Sequence, residues 1–310
     1  PPIMVIYMLC KEVSTQKICG YNLYLGFLFT LFIKTDSSII AMILGMLLLG
    51  YFALESEQWA DRYTQITGIY LGAKLTICLL RLLFGDKLHP FHGTGAIILD
   101  YRILICEILC YLAFLLAWKR NRKTMREKLA VARKGVVMIF LAAAGIGIVC
   151  ILFANINAAN LSNESFWQNL VLTDATFNER GFVWRRTVAA IKEEPILRKL
   201  FGNGMNSYET FMSLMNKLTP DSGYADPHNE ILQMATDMGL LGLISYFGLL
   251  LSTLVRGFRN WKNNSFYIMG ALTLIIYLIQ ALMNEYSIYT LPFLFIFLAL
   301  INGKSIEKLE

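Results

Sequence analysis

Residues 97–134 read IILDYRILICEILCYLAFLLAW followed by KRNRKTMREKLAVARK, and this junction decides the fold. The first part, 97–118, is apolar apart from Asp100, Arg102 and Glu107. A helix rises about 1.5 Å per residue, so roughly 20 residues cross about 30 Å of hydrocarbon. Hydrocarbon offers no partner to a backbone amide, so a run of this length must be helical. The second part, 119–134, carries Lys119, Arg120, Arg122, Lys123, Arg126, Lys128, Arg133 and Lys134 against one acid, Glu127. Short loops with that bias stay cytoplasmic.

The same pattern extends in both directions. Apolar runs occupy 18–33, 37–54 and 66–84 before the junction, and a partial run opens the chain at 3–10. After it come 135–153, then a long polar stretch, then 238–255, 266–283 and 288–301. Eight spans and the partial first one are expected, with 18–33 and 288–301 short enough to be tilted or re-entrant. The fold class is therefore an all-α polytopic membrane protein, a helical bundle with one long, partly helical extracytoplasmic loop. A second basic loop holds Arg256, Arg259 and Lys262. Two crossings separate the basic loops, so both are inside only if 154–237 is outside. The organisation expected is 1–153 as transmembrane helices with short loops, 154–237 as the extracytoplasmic loop, and 238–310 as further spans with a cytoplasmic tail.

Composition agrees. The 310 residues are 56% hydrophobic, with mean hydropathy +0.52, and only 16% are charged. Soluble domains carry about 25% charged residues. The net charge of +6 sits largely in the short loops, which points to membrane lipids as partner and away from nucleic acid. Cys10, Cys19, Cys78, Cys106, Cys110 and Cys150 all lie in or beside apolar runs, which suits small buried hydrophobes rather than a disulfide set. The chain opens Pro1-Pro2 within an apolar run, which suggests a piece of a longer protein.

The outer stretch is long for a structureless connection, and such segments are usually functional or have structure of their own. A helix is expected at about 180–194, with Arg180, Trp184, Val188 and Ile191 on one face and Pro195 ending it. A second is expected to start at Asp226 as N-cap with Pro227 in its first turn, and to run unbroken into the span at Met238. Trp167 and Trp184 suit the headgroup belt.

Several side chains have chemistry to offer. The planar fork of Arg180 suits a phosphate; the alternative is a surface helix whose arginine meets lipid headgroups. His228, in Asp226-Pro227-His228-Asn229-Glu230, can take a proton near neutral pH, and a first-turn position would set free backbone amides beside a diphosphate. The alternative is a solvated loop histidine. His89 and His92 flank Pro90 and read as loop histidines rather than a metal pair. Within the apolar runs, Lys74 and Glu107 fall at similar depth and are expected to pair. Arg102 stands near the outer end of its span, suited to a phosphate, to a headgroup, or to Asp100.

Taken together these residues resemble the C-terminal half of the O-antigen ligase and polysaccharide polymerase superfamily. The resemblance rests on Arg180 and Trp184, Pro195, the Gly202-Asn203-Gly204 turn, His228-Asn229-Glu230, Gln233 and Gly239-x-x-Gly242, in that order on one outer loop. It covers roughly 97–300. Family members place an arginine, often as Ser-Arg, at the outer end of an earlier helix; Arg102 stands there, but Tyr101 precedes it. A rival stretch, Lys34-Thr35-Asp36-Ser37-Ser38, has Ser38 where that arginine would be.

The resemblance implies metal-independent, inverting glycosyl transfer with no cofactor, from an undecaprenyl-diphosphate-linked glycan to a glycan or lipid acceptor, on the outer face of a bacterial inner membrane. It implies His228, Arg180 and Glu230 as catalytic, and Arg102, Trp184, Asn229 and Asp226 as substrate-binding or supporting. Other polysaccharide-assembly proteins are implied as partners. Polymerisation of repeat units of O-antigen or capsular polysaccharide is one activity, and ligation of finished glycan is the other. Outside the family, Lys74, Arg81, Asp100 and Glu107 could line the path of a transporter or flippase, against which stand the long outer loop with its arginine and histidine and the lack of an evident transporter-type repeat.

Overall fold

The structure is a computed structural model that describes residues 2–33, 36–85, 93–157, 167, 170–171, 173–174, 180–215, 217, 226–264, 266–282, 284 and 291–303. Among these residues it is all helix and no strand: α1 (Pro2–Leu9), α2 (Val13–Ile33), α3 (Asp36–Ala53), α4 (Glu57–Phe84), α5 (Gly93–Ile98), α6 (Tyr101–Arg120), α7 (Arg122–Ile156), α8 (Arg180–Glu193), α9 (Ile196–Phe201), α10 (Tyr208–Leu214), α11 (Glu230–Asp237), α12 (Gly239–Asn260), α13 (Phe266–Ala281) and α14 (Leu291–Asn302). The chain is an all-α polytopic membrane protein. α4, α6 and α12 are long and apolar enough to cross a membrane. They present Leu82, Leu109, Leu116 and Ile244 outward at 60–81% exposure, as a lipid surrounding would favour. His89 and His92 lie outside the described residues.

Three boundaries differ from the sequence reading. The basic stretch after Trp118 is not a loop: only Asn121 separates α6 from α7, and α7 begins among the cations. Arg, Lys, Met, Glu, Leu and Ala dominate there, all strong helix formers. The apolar run at 97–118 is split, because Asp100 is the N-cap of α6 and its carboxylate accepts from the Arg102 backbone N–H at 2.7 Å. α4 starts earlier than the apolar pattern, capped by Ser56, whose hydroxyl accepts from Trp59 N at 3.1 Å.

Two compact units emerge. The first comprises Pro1–Ala132, Ser252–Gln280 and Pro292–Glu310. Its core gathers Met4, Phe27, Leu49, Ile66, Ile77 and Leu272. Lys74 is fully buried, and its ammonium meets Glu107 at 2.5 Å, the pair expected from the sequence. Tyr111 donates its hydroxyl to Thr64 O at 2.8 Å and lies over Gly68, where an added Cβ would come within 2.6 Å of it. Asp61 receives the Trp118 indole at 2.6 Å and Arg122 at 2.9 Å, so it clasps the α6–α7 break. All six cysteines are free thiols.

The second unit comprises Arg133–Leu251 and Ala281–Leu291. Its core is small: Val183 and Ala190 of α8 against Tyr208, Phe211 and Met212 of α10. The buried side of α8 is Val183, Thr187 and Ala190, one residue behind the stripe expected from the sequence, and Val188 is exposed. The shift follows from Thr187, whose hydroxyl satisfies itself on Val183 O and on the Tyr208 hydroxyl, so a polar residue enters the core.

Candidate functional site

The site is built on the seam between α8 and α11 in the second unit. Arg180 is the first residue of α8 and is half-buried. Trp184 follows four residues on, so the two share a face with Cβ atoms about 5–6 Å apart. The Trp184 indole N–H donates to Pro227 O at 2.8 Å, joining α8 to the segment that carries His228. The tryptophan expected to anchor in headgroups is thus committed to the protein.

Around His228 the expected helix start is corrected. Asn229, not Asp226, is the N-cap of α11, and its Oδ1 accepts from Leu232 N at 3.1 Å. His228 precedes the helix in the left-handed region, with φ +47°. For a residue with a Cβ this costs of order 1–3 kcal/mol and persists only where the surroundings enforce it. Asp226 supplies the enforcement. Its Oδ1 accepts from the His228 backbone N–H at 2.7 Å and lies 2.9 Å from His228 Nδ1. A carboxylate can only accept, so Nδ1 carries the proton of this contact. The reason Asp226 does not cap α11 is therefore local: its carboxylate closes a two-residue turn on His228 instead.

Asn229 and Glu230 are tied down. Asn229 Nδ2 donates to Leu282 O at 3.0 Å, so both ends of its amide are engaged. Glu230 is 1% exposed, and its carboxylate accepts from the Tyr246 hydroxyl of α12 at 2.6 Å. Tyr246 lies beyond a helix break, and nothing in the sequence pattern pairs it with Glu230.

That break is a second correction, since α11 and α12 are not one helix. Gly239 has φ +67°, and a Cβ there would lie 2.5 Å from the Leu200 carbonyl. On the facing chain Gly202 has φ +79°, and a Cβ would lie 2.3 Å from Asp237 O. The two glycines let backbones touch, as positive φ and close approach require. Asn203 N and Gly204 N then donate to Thr236 O and Asp237 O, each at 2.9 Å. Asn203 Nδ2 reaches Glu194 Oε1 at 2.7 Å, fixing the end of α8 to the same turn. The Gly-Asn-Gly turn thus locks α8, α9 and α11 together.

Burial pushes the Tyr208 phenol up, and the nearby Asp226 carboxylate adds to this, while the hydrogen bond shared with the Thr187 hydroxyl opposes it. Tyr208 is therefore a neutral group at the base of the site. Arg102 belongs to the first unit, in the first turn of α6. Its Nε donates to the Tyr101 hydroxyl at 3.3 Å, and Asp100 engages its backbone rather than its guanidinium. Among the described residues, no group of three or more His, Cys, Asp or Glu is placed to hold a metal ion. A cavity of about 220 Å³ in the first unit, lined in part by Asn22, Phe27, Thr30 and Ile276, includes none of these site residues.

In a comparison with known protein families, the model of a family described as O-antigen ligase matches residues 102–247. That segment runs from Arg102 through α8, the Gly-Asn-Gly turn and His228 to just past Tyr246. No curated protein and no solved structure matches.

Proposed function

We propose, for a chain that belongs through residues 102–247 to the O-antigen ligase and polymerase superfamily, that the second unit transfers a glycan from undecaprenyl diphosphate on the outer face of the bacterial inner membrane. The observation that carries this reading is the Trp184–Pro227 bond, which couples the helix opening with Arg180 to the turn that holds His228. The roles follow from chemistry. His228 Nε2 takes the proton of the acceptor hydroxyl. The freed oxygen attacks the anomeric carbon, the bond from that carbon to the diphosphate oxygen breaks, and the electron pair leaves with the lipid diphosphate. Arg180 stabilises the charge that develops there. Attack from the face opposite the leaving group inverts the centre.

Asp226 orients the imidazole. Asn229, Glu230 and Trp184 hold the turn through Leu282 O, Tyr246 and Pro227 O. With the fork of an arginine on the diphosphate, no divalent cation enters the scheme. The segment 154–237 faces the periplasm, because the cations at 119–134 and 256–262 hold both flanking ends inside. Polymerisation of repeat units is the activity we favour over ligation of finished glycan.

Purified protein given lipid-linked repeat units, with and without a chelator, tests the proposal. Polymer formed equally in both conditions is the expected result. Activity abolished by the chelator and restored by a divalent cation would overturn the metal-free scheme. A null strain separates the neighbouring activities. Single-repeat glycan indicates a polymerase, long polymer left on the carrier a ligase, and repeat units that never reach the outer face a flippase.

A further inference from the structure

α9 is six residues long, about 9 Å of helix, and it keeps its apolar side chains outside. Ile196, Leu197 and Phe201 are 68%, 67% and 65% exposed, and Met205 beyond the turn is 56% exposed. Positions 196, 197, 200 and 201 share one side of a helix. The nearby core of Val183, Ala190, Tyr208, Phe211 and Met212 takes none of them in. An exposed apolar cluster of this kind marks a surface meant to be covered.

The place of α9 says what covers it. Its last turn is in backbone contact with the start of α12: Gly239 abuts Leu200, and Gly202 abuts Asp237 and Met238. α12 is one of the helices long and apolar enough to cross a membrane, and from its first turn it displays Leu240, Leu241 and Ile244 outward. The apolar residues of α9 therefore continue the lipid-facing surface of α12 at the level where that helix enters the bilayer. Arg198 and Lys192 are exposed beside them, and long cations at such a level extend toward lipid phosphates.

We propose that α9 is an interfacial membrane element: Ile196, Leu197 and Phe201 insert at the boundary of headgroups and acyl chains, and Arg198 and Lys192 meet phospholipid phosphates. Because the Gly-Asn-Gly turn ties α9 to α8 and α11, this insertion fixes the height of the His228 turn above the lipid surface. The inference goes beyond the catalytic reading and stands without it.

The test uses the full chain in phosphatidylethanolamine–phosphatidylglycerol nanodiscs, in a background with the six native cysteines replaced. Nitroxides are placed by Leu197→Cys and Phe201→Cys, with Glu209→Cys on α10 as the solvent control. Power saturation should show oxygen collisions dominating at 197 and 201, and collisions with a water-soluble nickel chelate dominating at 209. Nickel dominance at all three sites overturns the proposal and leaves the surface to a protein partner. The unlabelled native chain gives a second readout: a phosphatidylcholine bearing a carbene precursor in the upper acyl chain should leave adducts within 196–201. Adducts confined to the spans, with none on that segment, would also overturn it.

Discussion

Two contacts between a carboxylate and a nitrogen base, one in each unit, stand in opposite settings. Lys74–Glu107 joins α4 to α6 with the lysine fully buried and the bond short. Asp226–His228 joins residues two apart, with side chains 25% and 41% exposed, on a backbone held at φ +47°. In the first pair the lysine is buried and the Glu107 side chain is 36% exposed, both within regular helices. The second is open, strained and braced from three directions, by the Trp184 indole, the Asn229 amide and the Tyr246–Glu230 bond. A charge hidden in a span need only be neutralised for the helix to persist. A base that is to meet a substrate, as proposed for His228, has to stay accessible, and the structure around it supplies the rigidity that burial would have given. On the proposed reaction the contrast is between a group that serves the fold and one that serves the chemistry, and substitutions can test it from both sides.

The largest effect is expected at His228. Asn tolerates the left-handed region, so His228→Asn should fold normally while losing the base. A loss of about 10²–10⁴ in turnover is expected, with an unchanged melting curve. Glu107→Leu should give the mirror image. It leaves Lys74 buried without its partner, at a cost of about 3–5 kcal/mol to stability in detergent. Lys74→Met combined with Glu107→Leu should recover most of that, since a buried pair is often replaceable by apolar residues. If Glu107→Leu melts like the parent, Lys74–Glu107 is not the structural pair we take it for. Arg180→Ala should lower turnover by about 10²–10³, or ~3–4 kcal/mol of transition-state stabilisation. Arg180→Lys should be impaired too, because a point charge cannot reproduce the fork. Near-normal transfer by Arg180→Ala at equal protein level would remove it from the diphosphate.

The two units were not equally legible in the sequence. The Lys74–Glu107 pair could be placed in advance, because helix rise and alternation of spans fix the depth of every residue. α8 was placed to within a residue by its period and by Pro195, and its face was misjudged by one position because Thr187 is buried through a hydroxyl pair that hydropathy does not see. The helix start at Asp226 was misread for a similar reason. Asp, Pro and Asn all favour N-termini, and only the competing bond from Asp226 to His228 decides that Asn229 is the cap. The break at Gly239 and the partnership of Tyr246 with Glu230 depend on backbone approach and on residues far apart in the chain. Gly202 and Gly239 stood in the sequence as glycines, but which glycine faced which was not written there.

Trp184→Phe is the smallest and the sharpest test of the comparison. It keeps an aromatic ring on α8 and deletes only the N–H that reaches Pro227 O. Such a bond is worth about 0.5–1.5 kcal/mol, and Pro227 is buried, so its carbonyl would be left without that donor. If the bond merely supported the fold, as Lys74–Glu107 does, the loss would appear as a small fall in melting temperature at constant turnover. If it holds the His228 turn at the height of Arg180, turnover should fall about two- to tenfold with the KM for the lipid-linked donor unchanged, because the misplaced group acts in the transition state. A variant that melts lower and turns over normally would sever α8 from the catalytic turn, and with it the observation on which the proposed reaction rests.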